Sequence, residues 1–420
     1  MFKYLHTADI HLDSPLRGLE AYEGAPVAAV RHSTREAMKN LVHLAIAEGV
    51  DFVLIAGDLY DGDWPDYNTG LFFAGQMRRL RDADIAVYVI AGNHDAQSQI
   101  TRGLTPPENV HLLATDKPET CRIERIGAAI HGQGFAERAV TGNLAASYPA
   151  PVAGAFNIGM LHTAADGREG HDPYAPCSVD ALRNHGYDYW ALGHVHTREV
   201  LSDDPPIVFP GNLQGRHVNE TGAKGCYVVT VHDSGVPTLD FRPLDVVRWH
   251  RVHLDAHNAA SHDDLCAAFR NVLDNLRESA GDRLLAVRVA VTGSSPAHAW
   301  LAAHAERFTN ELRLIASDRA GGPVWLERVY IDTTAHAAST VEAQAGPLAD
   351  LLDIVEDLTG ADPGDAHLAN TLDDLRAKLP PELREDADGP VSPEAIAGYA
   401  RQARGLLAER LRGTTSEEEA

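Results

Sequence analysis

Short β-prone runs alternate with amphipathic helical stretches over roughly the first 245 residues, and this alternation narrows the choice of fold most. Strands are predicted at 2–7, 51–56, 85–91, 127–131, 156–162, 187–192, 207–209 and 226–232. Helices with an apolar stripe are predicted at 27–48 and 68–83, between the first three strands. Each helix is long enough to cover a sheet, so the pattern predicts a layered α/β fold with its site at the carboxyl ends of the strands.

Potential metal ligands lie where these predicted strands end. Asp-Ile-His at 9–11, Gly-Asp-Leu-Tyr-Asp at 57–61, Gly-Asn-His-Asp at 92–95 and Gly-His-Val-His at 193–196 each follow a strand, and His162 ends its own strand. Because strand ends point into a common crevice, we expect these side chains to converge. The adjoining glycines allow the backbone to come close to ions.

The donors are carboxylates, one amide oxygen and imidazoles, with no thiolate. This mixture suits manganese, iron or magnesium better than a structural zinc site. Two divalent ions about 4 Å apart stabilise both the attacking and the leaving oxygen of a phosphoryl displacement. The donors outnumber the needs of one ion, so the sequence predicts a two-metal phosphoesterase.

The order Asp-x-His, Gly-Asp-x-x-Asp, Gly-Asn-His-Asp, His and Gly-His-x-His resembles that of the calcineurin-like metallophosphoesterases, which implies a β-sandwich flanked by helices. By this resemblance, one ion would bind Asp9, His11, Asp58 and His196. The other would bind Asp58, Asn93, His162 and His194, with Asp58 bridging. His94 would face the scissile phosphate as general acid or transition-state donor, with Asp95 orienting its ring. Asp61 would either support the site from behind or be a solvated loop acid.

Within that family, the motifs at 57–61 and 92–95 look like the DNA-repair exonuclease branch. Phosphoprotein phosphatases have Glu after the motif His and Arg-Gly after the second motif Asp, where this chain has Gly62 and Asp63. Segments 8–15 and 210–226 are similar to the YhaO type of nuclease more than to the SbcD type. The branch implies a DNA exo- or endonuclease that uses two ions, with Mn²⁺ favoured and Mg²⁺ or Fe²⁺ as alternatives. It also implies an SMC-like or YhaN-like ATPase as partner, and a homodimer is left open.

Beyond the nuclease domain at 1–245, the sequence predicts two further regions. Strands at 249–255, 284–292 and 325–332 alternate with helices at 259–278 and 296–306, which indicates a small α/β domain at 246–335. It resembles the cap that helps such nucleases engage DNA. Residues 336–420 form an acidic tail in which helix 392–411 begins with Ser392 as N-cap and Pro393 at N1. That helix either docks the partner or packs on its own domain.

The net charge of −24 opposes the DNA assignment, because nucleic-acid binders usually carry a basic footprint. Two bound divalent ions would offset four of these charges. Two alternatives to the nuclease therefore stay open. One is a phosphodiesterase for small nucleotides, and the other is a regulatory subunit that binds the ATPase or DNA without cutting.

Substrate contacts are predicted from a few residues near the ligand motifs. Arg216 and His217 are candidates for binding the substrate phosphate, since an Arg can grip phosphate oxygens with two nitrogens. A structural salt bridge is the alternative for Arg216. The side chains of Tyr60, Phe135 and His131 are the aromatic candidates for stacking on a base.

No apolar run reaches the roughly 18 residues of a membrane span, and residues 1–6 predict a buried strand rather than a secretory leader. Four scattered cysteines without a Cys-x-x-Cys pair argue against a disulfide scaffold or a zinc ribbon. We therefore expect a cytoplasmic protein with no membrane contact.

Overall fold

The computed structural model describes residues 1–14, 24–61, 67–97, 105–167, 174–257, 259–317 and 323–335. These residues form two compact units. Met1–His250 with Arg283–Ala286 make up the first unit, and Arg251–Asp282 with the described residues from Val287 onward make up the second. The acidic tail at 336–420, including the predicted helix at 392–411, lies outside the described residues, and the domain boundaries at 245 and 335 stay predictions.

The first unit consists of two sheets and flanking helices. Its described strands are β1 (Phe2–Thr7), β2 (Phe52–Ala56), β3 (Ala86–Ile90), β4 (Val110–Leu112), β5 (Glu119–Ile123), β6 (Ala128–Gly132), β7 (Phe156–His162), β8 (Tyr189–Gly193), β9 (Glu199–Asp203), β10 (Pro206–Phe209), β11 (Gly225–Val231) and β12 (Pro237–Pro243). Its described α-helices are α1 (Val27–Glu48), α2 (Tyr67–Arg81) and α3 (Val179–Arg183). The strands build two six-stranded sheets, ordered β12-β11-β1-β2-β3-β4 and β5-β6-β7-β8-β10-β9.

Both sheets are parallel in their central parts. Strands β1 to β4 run parallel in the first sheet, and β6, β7, β8 and β10 run parallel in the second. Parallel strands need covering on both faces, and their sequences are accordingly mainly apolar. Parallel pairing also brings the carboxyl ends of neighbouring strands to the same edge of each sheet, which is where the predicted ligands follow.

Residue alternation along each strand divides the apolar side chains between two layers. In β2, Phe52 and Leu54 face the second sheet, and the Phe52 ring stacks on that of Tyr4 with centroids 4.8 Å apart. Val53 and Ile55 instead pack in the cluster that holds the apolar face of α1. On the outer face of the second sheet, a third cluster packs against α3. The predicted β-sandwich flanked by helices is therefore confirmed.

The second unit continues the strand and helix alternation. Its elements are the greater parts of β13 (Val247–Asp255) and β14 (Leu284–Ser295), together with α4 (His262–Ala280), α5 (His298–Ala303), α6 (Ala305–Ser317) and β15 (Val324–Ala335). The strands form a sheet in the order β13-β14-β15. Helix α4 begins with a capping box between Ser261 and Asp264, which satisfies free backbone N–H groups of its first turn.

Several elements differ from the sequence prediction. Strands β4, β5, β9 and β12 were not predicted, and each lies at or next to a sheet edge, where side chains are largely exposed and the apolar signal is weak. The single helix predicted at 296–306 is two helices, because the backbone leaves the helical conformation at His304 and α6 then runs on to Ser317. Helix α1 has the predicted bounds.

A buried histidine gives the stability of the first unit a defined pH dependence. The ring of His6 is fully buried, and its nitrogens bond the Tyr189 hydroxyl at 2.9 Å and the Leu192 carbonyl oxygen at 3.2 Å. Burial lowers the pKa of His6 from 6.5 to about 3, so the ring is neutral in the fold. The unfolded chain then binds one more proton between these values, and the stability present above pH 6.5 is lost as the pH falls toward 3.

We expect this loss to have a slope of up to about 1.4 kcal/mol per pH unit. Urea unfolding of the wild type and of His6→Gln between about pH 7 and 4 measures it, because the difference between the two curves isolates the His6 proton. The prediction is contradicted if the difference between the free energies of unfolding of the two proteins does not change with pH over this range.

Candidate metal centre

The loops that follow β1 and β2 run side by side and set the positions of the first predicted ligands. The backbone N–H groups of Asp9 and His11 donate to the carbonyl oxygens of Gly57 and Asp58, each at 3.0 Å. Asp9, His11 and Asp58 all have a left-handed backbone, with φ of 49°, 45° and 49°. This conformation costs of order 1–3 kcal/mol in a residue other than glycine, and it is typical of functional sites that the surrounding structure holds in place.

Two motif glycines allow these loops to meet the others. A Cβ atom on Gly92 would collide with the carboxylate of Asp58, and one on Gly193 would collide with the carbonyl oxygen of Ala56. Glycine is therefore required at both positions, because the neighbouring loop comes too close to leave room for a side chain.

Asp9, His11 and His196 form one group of potential ligands, with donor atoms within 4.8 Å of one another. The Nε2 atoms of His11 and His196 face each other at 3.1 Å. Nδ1 of His196 donates to Oε1 of Glu220 at 2.8 Å, so the proton of the neutral ring lies on Nδ1 and its Nε2 carries a lone pair. Burial lowers the pKa of His196 to about 4, which keeps the ring neutral. The lone pair on Nε2 of His196 is directed at Nε2 of His11, and this arrangement suits a metal ion bound between the two nitrogens.

Asp9, Asp58 and His162 form a second group within 4.8 Å. Nδ1 of His162 donates to the carbonyl oxygen of Ala56 at 3.0 Å. Its Nε2 then faces two oxygens, at 3.0 Å from Oδ1 of Asn93 and 3.5 Å from Oδ2 of Asp58. Both oxygens are acceptors, and Nε2 of a neutral His162 has only a lone pair to offer them. A cation is therefore needed between these three atoms.

The electrostatics of the two groups also call for positive charge. Burial raises the pKa of Asp9 to about 7, because a carboxylate here has lost its water. Burial disfavours a charged His162, yet the Asp58 carboxylate outweighs it and raises the pKa of this ring to about 9. The ring of His194 lies beside that of His162, with centroids 5.1 Å apart. Divalent cations would supply the positive charge that stabilises the buried carboxylates of Asp9 and Asp58.

The structure thus brings all the predicted ligands into one crevice, and they come from the strand ends of both sheets. They are Asp9, His11, Asp58, Asn93, His162, His194 and His196. The division of these residues between two ions stays the assignment that the family resemblance implies.

His94 lies in the same crevice, and Asp61 orients its ring. Nδ1 of His94 is 2.9 Å from Oδ1 of Asp61, and its backbone N–H donates to Oδ1 of Asp58 at 2.9 Å. Burial lowers the pKa of His94, but the hydrogen bond to Asp61 and the charge of Asp58 outweigh this and raise it above its ordinary value. With Nδ1 paired, the ring keeps Nε2–H as the donor that it can offer to a phosphate oxygen.

The expectation that Asp95 orients His94 is wrong. The Asp95 carboxylate accepts hydrogen bonds from the backbone N–H groups of Leu59, Tyr60 and Gly92, at 3.1, 2.8 and 3.0 Å. It begins a 3-10 turn, and its side chain ties the loop after β2 to the loop after β3. Asp61 has the orienting role, which the sequence left undecided between support of the site and a solvated acid.

Arg216 lies beside the crevice in contact with two acids. Its NH2 is 2.9 Å from Oε1 of Glu220, its NH1 is 3.6 Å from Oδ2 of Asp61, and only 13% of its side chain is exposed. His217 is more exposed, with its Nε2 3.6 Å from Oε1 of Glu220. Glu220 lies in the segment at 210–226 that is similar to the YhaO type, but no signal in the sequence marked it as part of the site.

The three aromatic candidates for base stacking are all buried. His131 bonds Thr120 and Asn157. Tyr60 packs edge-on against Phe73, and Phe135 packs edge-on against His162. None of these three candidates is therefore placed to stack on a base, because each ring is buried in the fold and already packed against other side chains.

Comparison with known proteins agrees with this geometry. Residues 2–198 match the calcineurin-like phosphoesterase family, and residues 249–334 match the middle domain of metallophosphoesterase YhaO. The "uncharacterized metallophosphoesterase YhaO" of Bacillus subtilis (strain 168) is 37% identical over 297 residues, which cover 70% of this chain and 72% of that protein. The chain belongs to the calcineurin-like metallophosphoesterases. It is therefore a hydrolase of phosphoester bonds in a family that binds a dimetal centre.

More distant similarities extend to a repair protein and a phosphatase. The DNA double-strand break repair protein Mre11 of Saccharolobus solfataricus is 25% identical over 287 residues, covering 63% of this chain and 71% of that protein. A dimetal phosphatase from Danio rerio covers 55% of this chain and 93% of its own, with a TM-score of 0.34 and 12% identity, too low to add to these conclusions. Among the described residues, no helix is long and apolar enough to cross a membrane.

The role of Asp95 leads to a prediction about stability. Asp95→Ala leaves three buried backbone N–H groups without acceptors, so we expect the free energy of unfolding to fall by about 3 kcal/mol or more. Asp82→Ala, at an exposed acid paired with Arg81, is the control and should change it by less than about 0.5 kcal/mol. Urea unfolding measures both, and equal effects for the two variants would contradict the role given to Asp95.

Proposed function

We propose that this metallophosphoesterase is a DNA exo- or endonuclease that hydrolyses phosphodiester bonds with two divalent ions. One observation carries the proposal: the full ligand series lies in one crevice with the His94–Asp61 pair, in a chain similar over 63% of its length to Mre11, described as a DNA double-strand break repair protein. The donor set of oxygens and imidazoles favours Mn²⁺, with Mg²⁺ or Fe²⁺ as alternatives.

In this proposal, the crevice residues divide the work between holding ions and moving a proton. The ions would be held as the resemblance assigns them, one by Asp9, His11, Asp58 and His196, the other by Asp58, Asn93, His162 and His194. When bound, they supply the positive charge that stabilises the phosphate in the transition state. Protonated His94 offers Nε2–H to the leaving oxygen, while Asp61 fixes the ring and supports its charge.

We also propose that DNA binds in the crevice and that an SMC-like or YhaN-like ATPase is a protein partner. The support is the resemblance to the DNA-repair exonuclease branch. The predicted helix at 392–411 is the candidate for docking the ATPase, on the strength of its sequence alone.

The first test asks whether the protein cuts DNA. Purified protein with Mn²⁺ should degrade single-stranded or end-bearing DNA, and His94→Gln should lower the rate by about 100-fold or more while Mn²⁺ binding, measured by calorimetry, is kept. His232→Gln, at an exposed histidine outside the crevice, is the matched control and should cut like the wild type. Absence of cutting on every DNA, with and without the ATPase, would refute the nuclease proposal.

The same assay separates the nuclease from a phosphodiesterase for small nucleotides, which the net charge of −24 favours. An enzyme for small substrates should turn over cyclic nucleotides at least as fast as it cuts DNA. Its rate should also depend little on salt, because few phosphates are contacted.

A second test separates cutting from binding the partner. Deleting residues 380–420 should abolish binding of the ATPase and leave the Mn²⁺-dependent hydrolysis of bis-p-nitrophenyl phosphate at the wild-type rate. Co-purification and this assay measure the two outcomes. Full-length protein that binds the ATPase but hydrolyses no phosphodiester would instead indicate a regulatory subunit that does not cut.

A further inference from the structure

The segment between β10 and β11, residues 210–224, folds back over the ligand His196. The ammonium group of Lys224 donates to the carbonyl oxygen of His196 at 2.7 Å, and the backbone N–H of Asn212 donates to the same oxygen at 3.3 Å. Two donors from the two ends of one segment therefore hold the backbone of one metal ligand.

Glu220 fixes the ring of that ligand. Its carboxylate accepts from Nδ1 of His196 at 2.8 Å, from the side-chain amide of Asn212 at 2.9 Å and from the backbone N–H of Arg216 at 2.7 Å. Its side chain is only 5% exposed. A carboxylate bonded to the far nitrogen of a ligating histidine sets the tautomer and the direction of the ring, and such partners strongly affect metal binding.

Arg216 joins this carboxylate to the one that holds His94. Its NH2 is 2.9 Å from Glu220 and its NH1 is 3.6 Å from Asp61, whose other oxygen pairs with His94 at 2.9 Å. We propose that Arg216 is a positioning residue that couples the metal ligand His196 to the proton donor His94 through Glu220 and Asp61. This rests on the proposed roles of His196 and His94, and it replaces the expectation that Arg216 binds the substrate phosphate.

The geometry favours positioning over a phosphate grip for two reasons. A phosphate is gripped by the paired nitrogens of the guanidinium fork, and here NH2 and Nε are directed at Glu220 while NH1 faces Asp61. If Arg216 turned to a phosphate, the buried Glu220 carboxylate would lose its compensating charge, and an acid left in this state is strongly disfavoured.

The test compares Arg216→Met with a matched control, Arg288→Met. Arg288 is 13% exposed like Arg216 and makes a two-nitrogen pair with Glu327, at 2.6 and 2.7 Å, within the second unit. Mn²⁺ affinity is measured by calorimetry, and hydrolysis of bis-p-nitrophenyl phosphate gives kcat, KM and the inhibition constant of inorganic phosphate.

We expect Arg216→Met to weaken binding of Mn²⁺ by about 10–100-fold and to lower kcat, with KM and the phosphate inhibition constant unchanged within about twofold. Glu220→Gln should have the same effects, and adding it to Arg216→Met should change little more, because the two side chains act as one unit. Wild-type Mn²⁺ affinity in Arg216→Met, with phosphate inhibition weakened by about tenfold or more, would overturn the proposal in favour of a phosphate contact.

Folding is controlled for separately. If Arg216→Met does not fold while Arg288→Met does, Arg216→Lys is used in its place. Lysine keeps the positive charge but lacks the paired nitrogens of the guanidinium group. We expect Arg216→Lys to bind Mn²⁺ more weakly than the wild type with phosphate inhibition unchanged, and wild-type Mn²⁺ affinity in this variant would overturn the proposal. Because none of these readouts uses DNA, they stand whether or not the protein is a nuclease.

Discussion

The structure of the site depends on buried negative charge. Asp9, Asp58 and Glu220 are each 5% exposed or less, and carboxylates so far from water are stable only when cations or N–H groups surround them. Histidines, Arg216 and backbone N–H groups meet part of this demand in the protein itself. Two divalent ions would supply the remaining positive charge. The burial of these carboxylates thus gives the crevice its affinity for cations.

The sandwich makes this concentration of charge possible. The first sheet contributes the loops after β1, β2 and β3, and the second contributes His162 at the end of β7 and the loop after β8. Packed apolar layers fix both sets of strands, so the loops that carry the ligands start from rigid elements. Two of these ligands, Asp9 and Asp58, have the strained left-handed backbone. Glycines at the closest approaches keep the loops free of side chains that would separate them.

Much of this was predictable from sequence, because strand ends and metal ligands leave local signals. The bounds of α1 and a layered α/β fold followed from hydrophobic periodicity, and the convergence of the ligand series followed from motifs placed at strand ends. The sandwich was implied by the family resemblance. Asp61 and Asp95 show where such reasoning stops. Both are acids near His94 in sequence or in space, and the motifs do not reveal that Asp61 pairs with the ring while Asp95 accepts from backbone N–H groups. Glu220 was missed because its partner His196 is 24 residues away, and the edge strands because they carry little apolar signal.

The distance along the chain between facing ligands has a consequence for folding. His11 and His196 meet at 3.1 Å although 185 positions separate them, and each follows a strand of a different sheet. A partly folded chain with one sheet formed cannot assemble this pair, so the complete native state binds ions more tightly than a partly folded chain does. Ions that bind this native state stabilise it by mass action, so the free energy of unfolding rises with ion concentration.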